Sequence, residues 1–385
     1  MGNRWVPLIG LTGAHSLNDF YQFVLPLLIP FLVLEFGLSY LSAGILVAAN
    51  LGVAVVLNPM VGHFGDVYKK RKLILCCGLV FLAISTSALS FAQNYLTLFI
   101  LCLLMGIGSS AYHPQATSFI SIHYRKRMGK FMGIFGIGGS AGVFATPIIL
   151  VPLISALGWR DPIFFLFIPG CLAAFILWRI LKEPKIKSSG GFPKVKIRPL
   201  ILLSTIVGFR EFVLRGFLTF LPAYFIIVRS TTILQMGLLM ALMLGTGIVA
   251  QPVGGAISDI IGRRKMFTIS LSFLMLSLLA FANSSGLISL VWLVLIGFCV
   301  YSTFPVGLAF ASELVPAERV GMSVGFVFGS GLAFGSISTL MVGYLIDISG
   351  FYWSFVTLSF FAGFAAILSL LLPRGQIQRI YSDKL

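Results

Sequence analysis

The chain has 385 residues, 58% of them hydrophobic and only 10% charged, with 27 Lys and Arg against 11 Asp and Glu for a net charge of +16. Soluble domains carry about 25% charged residues, so this composition excludes a water-soluble globular protein and points to an integral membrane chain. The apolar runs lack the period-two alternation of a membrane β-barrel, whereas almost any window of about 20 residues suits a bilayer-spanning helix.

Polar, Gly/Pro and charged punctuation divides the sequence into twelve predicted spans of an all-α membrane fold: 5–34, 40–64, 73–92, 95–122, 128–157, 162–181, 200–227, 232–260, 266–283, 287–315, 320–347 and 351–372. The first lacks the short apolar core and small-residue cleavage site of a signal peptide and is read as retained. With the N-terminus in the cytoplasm, one side collects Arg4, Lys69 to Lys72, Arg125 to Arg127, Lys130, Arg179 to Arg198, Arg263 to Lys265, Arg319 and the tail. The other keeps Arg160 and Arg229. Both termini are therefore expected to be cytoplasmic, in a multi-pass protein of the cell's inner membrane. The cations are dispersed among the spans, which suits anionic lipid headgroups and argues against nucleic acid as a partner. Cys76, Cys77, Cys102, Cys171 and Cys299 fall inside spans without ligand spacing and read as packing residues.

The first span contains "HSLNDFYQFVLPLLIP" at 15–30. His15 and Asp19 are four residues apart and share a helix face, roughly 15 to 21 Å along a span that starts near Trp5. A carboxylate at that depth costs on the order of 3 kcal/mol unless it is wet, paired or neutral. Two readings follow: a proton-exchanging group on a transport path, or a static network holding spans together. Asn18, Tyr21 and Gln22 lie near enough to line the same place.

Span two ends in "NPMVGHFGDVYKKRK" at 58–72, in which Gly62 permits close helix approach and Asp66 can accept bonds or pair with cations such as Arg71. Span four contains "YHPQA" at 112–116, where Pro114 frees a backbone carbonyl and His113 and Gln115 either contact substrate or serve the structure. Span five, "MGIFGIGGSAGVFATP", is dense in small residues that favour close packing. The polar stretch 182–199 reads as a cytoplasmic linker between two six-span bundles, 1–181 and 200–385. Span seven carries Arg210, Glu211 and Arg215 at a depth similar to Asp19. Aligning "LP" at 25–26 with "LP" at 221–222 sets Asp19 opposite Arg215.

Span eight ends in "QPVGGAISDIIGRRK" at 251–265, which aligns without a gap to 58–72: Gly255 with Gly62, Asp259 with Asp66, and Arg264-Lys265 with Arg71-Lys72, while Arg263 precedes them. "GIGSSAYHP" at 106–114 matches "GFCVYSTFP" at 297–305, and "GKFMG" at 129–133 matches "GMSVG" at 321–325. Parallel repeats of this kind imply an axis along the membrane normal and alternating access. The cations after Asp66 and Asp259 either latch one conformation or merely orient the spans.

Twelve spans, a long central loop and the Gly-x-x-x-Asp-x-x-x-(basic)-Arg-Lys signature after spans two and eight resemble the major facilitator superfamily across essentially the whole chain. The first signature departs from the common form at Tyr68-Lys69; "DIIGRRK" fits closely. "HSLNDFYQFVLPLLIP", "YHPQA" and "RGFLTFLPAYF" at 215–225 are similar to the fosmidomycin-resistance-like efflux group. The resemblance implies a two-bundle fold, gating at Asp66 and Asp259, and antiport from the Gly-rich fifth span.

No Gly-x-x-x-x-Gly-Lys-Ser/Thr loop is present to drive transport with ATP, and nothing in the spacing of His and Cys asks for a metal, a cofactor or an enzyme's catalytic set. The expected function is a proton-coupled secondary transporter, an exporter of small amphiphilic or anionic organic compounds working as a monomer. Asp19, His15 and Glu211 form the expected coupling set. Arg210, Arg215, His113, Gln115, Asn18, Tyr21 and Gln22 form the substrate set, and Gly62, Asp66, Arg71, Gly255, Asp259, Arg263 and Arg264 the latch. The alternatives are a proton-linked importer of organic anions and a non-transporting membrane sensor or scaffold.

Overall fold

The computed structural model describes residues 5–124, 128–183, 197–315 and 320–373, with no strand among them. The helices are α1 (Trp5–Phe36), α2 (Tyr40–Tyr68), α3 (Arg71–Ala88), α4 (Tyr95–Ser110), α5 (Tyr112–His123), α6 (Met128–Leu157), α7 (Arg160–Phe164) and α8 (Phe167–Ile180). They continue with α9 (Ile197–Ala223), α10 (Ile233–Ile261), α11 (Arg263–Ala282), α12 (Gly286–Glu313) and α13 (Val320–Ser369). Eleven apolar stretches are long enough to cross a membrane; α4 with α5 makes one, and α7 with α8 another. The last divides at Gly350, whose φ of 80° and ψ of 175° interrupt the helix where only glycine is unstrained, and this yields the twelve spans expected. The stretch expected as a linker lies largely outside the described residues, at 184–196.

Two compact units emerge, one made of Met1–Ser189 with Leu218–Leu244 and the other of Gly190–Phe217 with Gly245–Leu385. In the first, α1 packs along α6 and α8, α2 along α4, and α3 along α4 and α8. Lipid tails are as apolar as leucine, so helices gain little from hiding apolar surface and associate through close backbone approach. The Gly-rich fifth span supplies that approach. A Cβ on Gly142 would strike the Ser16 carbonyl, and one on Gly138 the Thr12 carbonyl. Ser16 Oγ donates to the Gly138 carbonyl at 2.7 Å and Thr146 Oγ1 to the Phe20 carbonyl at 3.3 Å, which fixes the register of α1 on α6.

The second unit repeats the arrangement with α9 on the first half of α13. Ser338 Oγ donates to the Phe212 carbonyl at 2.5 Å. Moving from Thr146 to Ser338 and from Phe20 to Phe212 is a common shift of 192 positions, so this is the same contact in each half. That shift places Asp19 opposite Glu211. The alignment of the two "LP" pairs, which sets Asp19 opposite Arg215, runs four residues further, close to one helical turn, and therefore keeps the face while missing the level.

Pro114 breaks the fourth span between α4 and α5, because it has no N–H to give the Ser110 carbonyl. The amide of Asn58, oriented to donate, meets that carbonyl at 3.0 Å. The kink turns His113 toward α1.

Since the Gly142 clash is with backbone that cannot step aside, Gly142→Ala is expected to destabilise the protein by about 1–3 kcal/mol. Gly136→Ala, with nothing within 4 Å of the added carbon, should stay within about 1 kcal/mol of the parent. Thermal unfolding of the detergent-solubilised pair compares them directly.

Candidate functional site

Asp19 sits on α1 with a side chain 23% exposed, between two imidazoles. His15 Nε2 is 3.3 Å from Asp19 Oδ2, and His113 Nε2, arriving from the kinked α5, is 3.5 Å from Oδ1. Asn18 donates from Nδ2 to Asp19 Oδ1 at 3.0 Å, and the same nitrogen lies 3.2 Å from His113 Nε2. The His15 ring is held on its other side: Nδ1 is 2.7 Å from the Phe135 carbonyl, and the ring stacks on Phe135 with centroids 4.0 Å apart. A carbonyl only accepts, so Nδ1 carries a hydrogen and Nε2 is the nitrogen that faces Asp19.

Space for this group comes from α6. A Cβ on Gly139 would lie 2.5 Å from Asp19 Oδ2 and 2.8 Å from the His15 ring. The ligand atoms of His15, Asp19 and His113 all fall within 4.8 Å of one another, close enough for one small cation to bridge them, and a proton is the smallest. Sequence spacing pairs His15 with Asp19 but gives no hint of the third member, because His113 joins them only through folding.

The other substrate candidates of this half divide. Asn18 is in the cluster and fully buried. Tyr21 is also fully buried, its hydroxyl donating to the Leu166 carbonyl at 2.6 Å, so it ties α1 to the α7–α8 turn. Gln115 is 1% exposed and donates to the Val61 carbonyl at 2.7 Å, tying α5 to α2. Gln22 is half-buried.

In the second unit, Glu211 lies between two guanidiniums. Arg210 Nη2 donates to its Oε1 at 2.6 Å, while Arg215 Nε stands 3.5 Å from Oε2. Arg210 is 3% exposed, and its guanidinium carbon is 5.5 Å from the centre of the Phe304 ring. Arg215 is 33% exposed. Glycines again make room: a Cβ on Gly331 would lie 2.9 Å from Glu211, and one on Gly335 2.7 Å from Arg215. Gly139 and Gly331 are related by the shift that relates Asp19 to Glu211, so each half sets a carboxylate of its first span against a glycine of its fifth.

The signature loops resolve unequally. Gly62 and Gly255 both face a proline, Pro114 and Pro305 respectively, at ordinary contact distance. The Asp66 side chain lies outside the described residues. Arg71 is 1% exposed and donates from Nε to Ser118 Oγ at 2.9 Å. The backbone N–H groups of Arg71 and Lys72 donate to Glu183 Oε1 and Oε2 at 2.9 and 3.0 Å, so a carboxylate beyond α8 caps the start of α3. In the other half Asp259 Oδ1 pairs with Arg263 Nη1 at 2.5 Å, Arg263 Nη2 reaches Glu313 Oε1 at 3.1 Å, and Arg264 Nη1 donates to the Leu372 carbonyl at 3.4 Å.

Glu183, Glu313 and Glu35 were not among the sequence candidates. Glu35 accepts from Trp159 Nε1 at 2.5 Å and from Arg160 Nη2 at 2.6 Å, while Arg160 also donates to the carbonyls of Ser90 and Ala92 at 2.5 and 2.8 Å. A carboxylate near a span end reads as solvated until the fold supplies its partner; the one available signal was that Arg160 is a rare cation on its side of the membrane.

The family model described as Major Facilitator Superfamily matches residues 11–242 and 212–382. YfnC, an uncharacterized MFS-type transporter of Bacillus subtilis, is 25% identical over 97% of this chain and 95% of its own. The fosmidomycin resistance protein of Escherichia coli is 25% identical over 88% and 86%, and the hexuronate transporter of Bacillus subtilis 21% identical over 88% and 86%. Among solved structures, a bacterial homolog to the human lysosomal transporter Spinster, inward-facing and unoccupied, superposes with a TM-score of 0.81 at 16% identity over 96% of each chain, a likeness of fold.

Replacing Glu183 by Gln removes the charge that faces the amide donors and the helix dipole of α3. The expected loss is about 1 kcal/mol, with faster hydrogen exchange at the amides of Arg71 and Lys72 as its local signature.

Proposed function

Because the chain belongs to the major facilitator superfamily, we propose that it is a proton-coupled secondary transporter that exports small anionic or amphiphilic organic compounds by alternating access. The observation that carries this reading is the His15–Asp19–His113 cluster. With Nδ1 of His15 committed to the Phe135 carbonyl, a neutral imidazole and an ionised carboxylate would oppose two lone pairs across 3.3 Å. One proton between them relieves that opposition. Among the described residues the ion pairs of Asp19 are with histidines, side chains built to accept and donate a proton, and the Asp19 side chain keeps 23% of its surface exposed; both favour a group that loads and unloads a proton.

The carboxylate of the other half has different company. Arginine does not release its proton in proteins, so Glu211 is held between two permanent cations and serves in this reading as their counter-ion. Its part in coupling is then indirect. Arg215, a third exposed, is the cation presented to an anionic substrate, and the buried Arg210 positions Glu211.

Export is favoured by the likeness to the fosmidomycin resistance protein. Proton-linked import of an organic anion is the second reading, favoured by Arg215 and by the likeness to the hexuronate transporter. The Lys and Arg distribution supports insertion in a cytoplasmic membrane with both termini inside.

Purified protein in liposomes loaded with a pH-sensitive dye tests the reading, with fosmidomycin and glucuronate as probes. Proton movement against the substrate flux marks antiport and movement with it marks symport, while the absence of any flux marks a scaffold. Asp19→Asn is expected to keep substrate counterflow and lose the proton signal. Unchanged coupled flux in that variant would remove Asp19 from the mechanism.

A further inference from the structure

The Arg210–Glu211–Arg215 group carries a charge count that selects among anions. We propose that it reads its ligand as a single negative charge on an apolar body, so that monovalent organic anions are accepted and divalent ones of the same shape rejected. This rests on the transporter reading and specifies the substrate class at the same site.

Two guanidiniums and one carboxylate leave one positive charge in a helix interior. Arg210 is committed: it is nearly fully buried, one nitrogen is spent on Glu211, and the described surroundings give its Nε and Nη1 no hydrogen-bond partner. A buried guanidinium in that condition leans on the Phe304 ring and on its carboxylate, and cannot turn outward without leaving Glu211 to the longer contact with Arg215 alone. Arg215 touches Glu211 only at 3.5 Å and keeps a third of its surface open, so the unbalanced charge is presented there. One monovalent anion completes neutrality. A second negative charge in the same place would face Glu211 with no remaining cation among the group, and in a low-dielectric setting that opposition is costly.

The apolar part follows from the neighbours. Phe304, beneath Arg210, meets Phe328 edge-on with centroids 5.4 Å apart, and Phe328 is 41% exposed. Phe328 and Gly331 lie three residues apart on one face of α13, the face that meets Glu211. An aromatic surface thus flanks the charged group, suiting a carboxylate, sulfonate or phosphonate monoanion that carries a ring or an aliphatic chain.

Benzoate and phthalate, which share a ring and differ by one adjacent carboxylate, are the probes. Their binding to the purified full chain is measured by thermal shift and by competition with fosmidomycin counterflow. The wild type is expected to favour benzoate by about tenfold or more. Glu211→Gln raises the group's charge by one and should abolish or reverse that preference; Arg215→Gln lowers it by one and should weaken benzoate by about tenfold. Arg215 is partly exposed, so its variant decides the matter if Glu211→Gln does not fold. Equal binding of both acids by the wild type, or a preference unmoved by the substitutions, overturns the inference. Coupled fosmidomycin flux persisting alongside such a result overturns the charge count alone, whereas absence of all coupled flux removes the transporter reading on which it rests.

Discussion

The contact on which the arrangement depends is the backbone-to-backbone approach of the first and fifth spans within each half. In a bilayer the gain from hiding apolar surface is small, so two helices come this close only where side chains are absent. On α6 the glycines at 138, 139 and 142 bring the Gly138 carbonyl within reach of the Ser16 hydroxyl of α1, and the Phe20 carbonyl of α1 within reach of the Thr146 hydroxyl. The same approach leaves a pocket-sized absence of side chain in which Asp19 and His15 fit. Packing and chemistry therefore share one cause: a methyl group on Gly139 would occupy the place of the ion pair itself.

The two halves apply this geometry to different chemistry. Asp19 and Glu211 occupy equivalent positions, yet Asp19 is met by two imidazoles and Glu211 by two guanidiniums. Imidazole can carry or give up a proton, whereas guanidinium keeps its own. In the proposed reading this difference of partners separates the two tasks a coupled carrier needs, an exchangeable proton and a constant field, within one repeated geometry.

Much of this was legible in the residues. Apolar length gives the spans, the Asp–Arg–Lys signatures give the repeat, and the four-residue spacing puts His15 beside Asp19. His113 was visible as a polar residue next to a helix-breaking proline, but its arrival at Asp19 depends on how far α5 turns at Pro114, which no local rule fixes. The level of Asp19 against span seven was missed by one turn, because the "LP" pairs repeat the helical face while hydroxyl-to-carbonyl contacts such as Ser338 with Phe212 set the height. Tyr21 and Gln115, plausible lining residues by position, serve backbone carbonyls of neighbouring elements. Glu183 went unnoticed, and Glu35 reads as a solvated span-end carboxylate without a role, because their partners lie more than a hundred residues away in sequence.

Arg160 links the end of α1, through Glu35, to the carbonyls that close α3 and to its own place at the head of α7. One planar fork thereby rivets three helix ends at the rim of the first unit. A rim pinned in this way resists shear: its helices cannot slide past one another without tearing out several charge-assisted bonds together. Sliding of these three ends past one another is accordingly the displacement that this contact opposes.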